Sequence, residues 1–265
     1  MLIQVLIITF ESYNFIKTVK NMRNQILRLL LAGSLLVGAL SVHSQGDAFD
    51  KGFSLRFGLN LPNSSFGGFD DFNSNWGIAN PGTPRAYTKG SSLGFGLQLG
   101  SMFFFDGIDL GSQMAIGLDV SYIDLNYIPV NYEFKTLATG RVIGESKMHY
   151  FQMGFMVGPT FSFSLVDNMS FDVAFKFNPS WSGFAAGVDL NDEPTNTNYN
   201  DTYGGISYFQ LGYVPAIYFR YSILFLGFEY NINNGNHNMV NDDHSSFVSN
   251  KTNMSRMKFL FGFKF

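Results

Sequence analysis

Histidine is the side chain that most often moves protons at neutral pH, and this sequence has four. Two stand beside acids: His149 follows Glu145 by four residues, and His244 directly follows Asp242 and Asp243. A histidine held by a carboxylate is an arrangement that activates water for hydrolysis. Polar loops offer such pairs by chance. No catalytic residue is therefore assigned, and no enzymatic activity is expected. The stretch from Asp189 to Asp201 gathers Asp192, Glu193, Asn196, Asn198 and Asp201 without a basic residue. It has oxygen ligands for Ca²⁺ but lacks the glycine and spacing of a calcium loop, so it reads as a solvated loop. No metal and no cofactor are expected. The absence of cysteine excludes disulfides, thiolate catalysis, thiolate zinc sites and a lipoprotein anchor.

A second set of residues carries charge where charge is unusual. Arg56, Asp119, Asp172, Lys176, Glu229 and Lys258 each sit between apolar or aromatic neighbours, and Arg256 sits between Ser255 and Met257. Side chains alternate faces along an extended chain, so all seven fall opposite the aromatic rows. The last residues show this best. Phe259, Phe261, Phe263 and Phe265 share one face, while Arg256, Lys258, Leu260, Gly262 and Lys264 share the other. A soluble strand turns its aromatics to a core; a transmembrane barrel strand turns them to lipid and its polar residues to the lumen. Buried charge is costly unless paired, so the seven are expected to pair within the lumen, with Glu229 and Lys258 the best single pair. A structural polar plug is the resulting reading, and a narrow ion path is the alternative.

The elements that position these residues are eight alternating segments. They run from Phe53 to Leu61, Leu93 to Phe105, Leu110 to about Tyr122, Met148 to Leu165, Ser170 to Trp181 and Ile206 to Phe219. The seventh runs through Leu224, Leu226, Phe228, Tyr230 and Ile232, and the eighth closes the chain. Short turns are predicted at Asp106–Gly107, Val166–Met169 and Arg220–Ser222, and long loops at about 62–92, 125–147, 184–204 and 233–253. Long and short connections alternate, as in barrels with short periplasmic turns and long extracellular loops. Trp181, Tyr122, Tyr127 and Tyr208 are placed near outer strand ends, where amphipathic rings anchor at the interface.

Composition agrees. Charged residues are 14% and aromatics 17%, with 30 Phe and 28 Gly; soluble domains carry about 25% charge. The formal net charge of -3 gives no basic surface for nucleic acid. Met22 to Arg28 forms a basic segment, Leu29 to Leu40 a short apolar one, and Val42 to Ser44 a cleavage region before Gln45. Residues 1–44 are thus expected to be a signal peptide region, with 1–21 explained by a misassigned start, and 45–265 the barrel.

The cleavage region Val42 to Gln45 (VHSQ), the opening strand Phe53 to Asn60 (FSLRFGLN), Gly158–Pro159 within the fourth strand and the ending Phe261 to Phe265 (FGFKF) resemble the small outer-membrane β-barrel proteins of Bacteroidetes-type bacteria, including the PorT-like family. The resemblance covers roughly residues 50–265. It implies outer-membrane location, envelope protein partners and, for some members, an accessory role in a secretion system. It implies no catalytic residues.

The expectation is therefore an all-β protein: an eight-stranded antiparallel transmembrane β-barrel in the outer membrane of a Gram-negative cell. Outer-membrane lipid and envelope proteins are its partners, and its role is structural or interactive through the extracellular loops. A narrow pore for ions or small hydrophobic solutes is the alternative.

Overall fold

The computed structural model describes residues 49, 52–63, 66, 84–91, 93–105, 108, 110–136, 139–192, 197–207, 209–241 and 247–265. The leader expected over 1–44, the Asp106–Gly107 turn and Tyr208 lie outside them. Twelve strands are present among the described residues: β1 (Gly52–Pro62), β2 (Pro84–Ser91), β3 (Gly94–Phe104), β4 (Met114–Thr136), β5 (Val142–Val166), β6 (Met169–Asp192), β7 (Thr197–Ser207), β8 (Gln210–Tyr221), β9 (Leu224–Asn231), β10 (Asn234–Asn241), β11 (Phe247–Asn253) and β12 (Arg256–Lys264).

Eight of these form a closed antiparallel ring in the order β1, β3, β4, β5, β6, β8, β9, β12. Closure runs through β1 and β12, from Ser54 opposite Lys264 to Pro62 opposite Arg256. The eight predicted segments are these eight strands. In lipid, closure gives every spanning backbone amide a partner. No helix is long and apolar enough to cross a membrane among the described residues; strands make the crossing.

The four long connections, expected to be loops, contain strand. β4 and β5 continue above the ring to Thr136 and from Val142. β2 pairs with the upper part of β4, from Pro84 opposite Thr136 to Ser91 opposite Val130. β7 pairs with the upper part of β6 from Gly183 to Asp192, and β10 joins β7 to β11. The outer side of the barrel is therefore a β-wall that carries the ring strands upward. Sequence reading missed it because its outward residues are polar and its turn residues frequent, a pattern shared with loops.

β5 shows why the wall is not more of the same barrel. Over its lower part, Phe151, Met153, Phe155, Phe163 and Leu165 are exposed while Gln152, Thr160 and Ser162 are buried. Over its upper part the faces exchange character: Ile143, Met148 and Tyr150 are buried, and Glu145 and Lys147 are exposed. The first pattern suits lipid outside; the second suits water outside. The exchange falls between Lys147 and Phe151 and fixes the outer membrane boundary on this strand. On β4 the same exchange separates exposed Leu125 from buried Val130, Tyr132 and Phe134.

At that boundary the outer face is ringed by aromatics. Tyr127 packs on Phe151 at 5.1 Å and Trp181 on Phe209 at 5.5 Å between ring centroids. Tyr122, placed at the rim from sequence, instead sits mid-strand in a bulge. β4 skips Tyr122 in its pairing with β3, where Gly100 meets Ser121 and Leu99 meets Ile123. Tyr122 and Ile123 both face out as a result, and the inward parity of β4 shifts by one residue above them.

The interior holds two apolar clusters. The lower one gathers Met102, Phe104, Ala174, Ala216, Tyr218, Phe225 and Leu260, with Phe49 packed against it. The upper one, inside the wall, gathers Ile128, Val130, Tyr132, Phe134, Met148, Tyr150, Phe184 and their neighbours, and Phe66 from the first long connection enters it. Burial holds the hydroxyls of Tyr132 and Tyr150 above their ordinary titration range, so both stay neutral in this cap.

The membrane belt yields a first prediction. Phe175, exposed midway along the membrane-spanning part of β6, is expected to cost about 2–4 kcal/mol on replacement by Arg. Lys147→Ala, above the boundary, is expected to change stability by less than about 0.5 kcal/mol. Equilibrium urea unfolding in lipid vesicles measures both, and equal effects would place the boundary elsewhere.

Candidate functional site

Between the two apolar clusters lies a layer of charge. Arg56 enters from β1, Asp119 and Asp124 from β4, Lys176 from β6, Glu229 from β9, and Arg256 and Lys258 from β12. All are buried to within 1% of full burial. Each strand delivers them because it alternates: the residues on either side face lipid, so the charged ones face in.

The contacts form one continuous network. Arg56 Nη2 donates to Asp119 Oδ1 at 3.0 Å. Lys176 Nζ lies 3.0 Å from Asp119 Oδ2 and donates to Glu229 Oε1 at 2.7 Å. Glu229 also accepts from Tyr218 Oη at 2.8 Å and from Gln98 Nε2 at 2.7 Å. Lys258 Nζ donates to Asp124 Oδ1 at 2.6 Å and stands 3.8 Å from Glu229 Oε2. Asp124 accepts from Asn126 at 2.8 Å, and Arg256 Nη2 lies 3.9 Å from it. Arg256 Nε donates to Asn60 Oδ1 at 3.2 Å. Gly58 makes the Lys258 crossing feasible: a Cβ there would lie 3.0 Å from the lysine stem.

A second, separate pair lies beside the lower apolar cluster. Arg220 Nε and Nη2 donate to Asp172 Oδ2 and Oδ1 at 2.6 and 2.8 Å, a two-point bond. The Arg220 guanidinium rests 5.4 Å from the Phe104 ring centroid, and that of Arg56 rests 4.2 Å from Phe225. Aromatic faces take up the cationic surface the carboxylates leave.

The structure thus joins six of the seven charges singled out in the sequence and gives Asp172 a partner of its own. Glu229 and Lys258 are directly opposite in register, though Lys258 makes its shorter bond to Asp124. Two members escaped sequence reading. The sequence reading places Arg220 in a turn, yet it continues the inward row of Gln210, Gly212, Ala216 and Tyr218, so parity along β8 is the signal that marks it. Asp124 lay past the expected end of its strand, and from Asp119 onward uninterrupted alternation would turn it outward. Only the bulge at Tyr122 brings it in, and nothing in the local sequence marks that bulge.

The histidine arrangements drawn from sequence fare differently. His149 faces outward at the aromatic ring, stacked on Tyr127, whose hydroxyl lies 2.6 Å from His149 Nδ1. Glu145 is two outward positions further up β5, about 13 Å away at strand rise, so the two form no pair. His244, Asp242 and Asp243 lie outside the described residues, as does Glu193 of the acidic stretch. His237 and the rest of that stretch are described in their backbone alone or not at all. Among the described residues no group of three or more acids and histidines is placed to hold a metal ion.

Chemically, the layer is an interior cross-brace. It ties β1, β4, β6, β9 and β12 across the lumen, and its carboxylates are all occupied by cations or hydrogen-bond donors. Eight closed strands, lipid-facing aromatics, a polar interior and short turns at one end are now all in view. This is the architecture of a bacterial outer-membrane β-barrel.

No protein-family model matches the sequence, and no curated protein matches it. Solved structures similar to the chain include the outer membrane protease OmpT from Escherichia coli. It has 10% identity and a TM-score of 0.41 over 84% of this chain and 96% of that one. Another is Ail, the attachment invasion locus protein of Yersinia pestis, with 9% identity and a TM-score of 0.31 over 81% of this chain and 97% of that one.

The isolated Asp172–Arg220 pair gives a clean test of what buried pairing contributes. Asp172→Leu alone is expected to cost about 3–5 kcal/mol, because it strands a buried guanidinium. Adding Arg220→Met is expected to recover most of that loss. Urea unfolding of the three variants measures the coupling, and additive losses would show that the pair is not a unit.

Proposed function

We propose that the protein is an interaction component of the outer membrane that presents its extracellular β-wall to other envelope proteins. The observation that carries this reading is the wall itself. Strands that need roughly nine to eleven residues to cross the membrane reach 23 to 25 residues in β4, β5 and β6. Above the boundary they enclose a packed apolar core. A chain that only had to span would stop at the boundary, whereas a filled, paired extension is a rigid platform that presents fixed polar side chains to water. The resemblance to PorT-like proteins supports an accessory place in an envelope or secretion assembly. Nothing in the charged layer resembles a nucleophile with its base, and His149 is tied to Tyr127; this supports a non-enzymatic role.

The second reading, a narrow pore, is opposed by the same geometry. Within the described residues, the lumen is crossed by the ion-pair layer and bounded by an apolar cluster on either side. The purified barrel is expected to give no steady unitary current in planar bilayers; reproducible unitary steps would replace the platform reading with the pore. Affinity purification from outer membranes in mild detergent is expected to recover a stoichiometric envelope protein. Replacing Tyr132–Ser146 with an Asn-Gly turn is expected to abolish that recovery while the ring still folds. Recovery of the barrel alone from native membranes would sink the platform reading.

A further inference from the structure

Above the membrane boundary every ring strand but β1 has strand over it among the described residues. β4, β5 and β6 continue upward in one piece. On the flank of β4, β3 pairs as far as Tyr127 and β2 takes over from Val130. On the flank of β6, β8 pairs as far as Ser180 and β7 takes over from Gly183. β10 and β11 stand above β9 and β12, joined where the Met254 N–H bonds the Asn233 carbonyl at 2.8 Å. Past β1 the chain turns inward instead. The Asn63 N–H bonds the Ser255 carbonyl at 3.1 Å, the Phe66 N–H bonds the Asn63 carbonyl at 2.9 Å, and Phe66 is fully buried.

The wall is thus a sheet whose outer strands, β11 and β2, each pair on one side only among the described residues. β11 leads down into β12 and β2 leads down into β3, so the two edges run in the same direction. In the ring below, a single strand fills the matching position: β1 runs up between β12 and β3, antiparallel to both. An unpaired edge recruits another strand unless proline, lysine or a bulge protects it. β2 is protected, for it begins at Pro84, carries Lys89 and bulges between Thr88 and Gly90. β11 has no proline and pairs with β10 from Asn253 to Phe247 without a register shift. Its other side is the better template.

Charge and composition select the occupant. The two edge strands contain Arg85, Lys89 and Lys251 and no acid. A second copy would set one basic edge against another. The connection from Gly67 to Thr83 has no three consecutive residues free of Gly, Asn, Asp and Pro, types that strands avoid, so its composition does not suit a strand as long as β11. We propose that the open position above β1 takes an extended acidic segment of a partner envelope protein, which runs upward and pairs with β11. This rests on the platform reading and specifies how the platform holds its partner.

Amide hydrogen exchange, read residue by residue by NMR on the intact barrel in detergent, tests the proposal. Amides of an antiparallel edge strand point alternately to its neighbour and to the open side. In the protein alone, every second amide of β11 is expected to exchange fast. Slow exchange along the whole strand would mean that this chain or a second copy fills the position, and would overturn the proposal. In the complex with an envelope protein recovered from outer membranes, the fast set is expected to slow by at least about tenfold. A recovered partner that leaves those amides fast refutes the strand site while the platform reading stands; recovery of no partner refutes both. Lys251→Glu is expected to lower partner recovery by about tenfold, and undiminished recovery would overturn the acidic assignment. Should that variant fail to fold, the exchange pattern of the native protein decides.

Discussion

The hydrocarbon layer offers no water to a backbone amide, and everything else in this protein follows from meeting that condition. A sheet with an edge would leave a row of N–H and C=O groups in lipid, each at a cost of several kcal/mol. Pairing β12 with β1 removes the edge. Once the sheet is closed its two faces are no longer equivalent: one meets acyl chains, the other a lumen of fixed and small bore. The aromatic rows, the inward glycines and the buried ion pairs are consequences of that asymmetry.

An eight-stranded ring leaves an interior that side chains can fill, and this one fills it in layers. Aromatic and aliphatic groups occupy the lower end, a seven-residue charge network the middle, and a second apolar cluster the space above the membrane. The middle layer works because its acids are shared. Asp119 serves Arg56 and Lys176, and Glu229 serves Lys176, Tyr218 and Gln98. A buried carboxylate with several partners compensates for lost hydration in a way that one lysine could not. The interior is accordingly specific: an exchange of Glu229 takes away the acceptor of both Tyr218 and Gln98.

How much of this was legible in the sequence differs from element to element. The ring strands were, because period-two alternation of Phe with Gly, Ser or charge is a pattern that loops and helices do not produce, and Phe259 to Lys264 display it with Leu260 as the one inward apolar residue. The inward position of Arg56, Lys176 or Glu229 followed from the same parity. The wall was not legible, since above the boundary the faces exchange character, and a reader expecting aromatics outside finds polar residues and concludes loop. Asp124 was hidden by a bulge whose cause is tertiary: Tyr122 and Ile123 are ordinary strand residues, and only the pairing with Leu99 and Gly100 sets them side by side.

The closing strand also carries half of the cationic side of the network. Until Arg256 and Lys258 arrive, Asp124 has neither cation and Glu229 has lost one of its two, in a partly formed sheet open to lipid. Zipping the last seam and completing the ion-pair network are therefore a single event. An intermediate with seven strands in place is penalised twice, at its edges and in its lumen. The finished cylinder is thus favoured over the seven-stranded sheet on both counts.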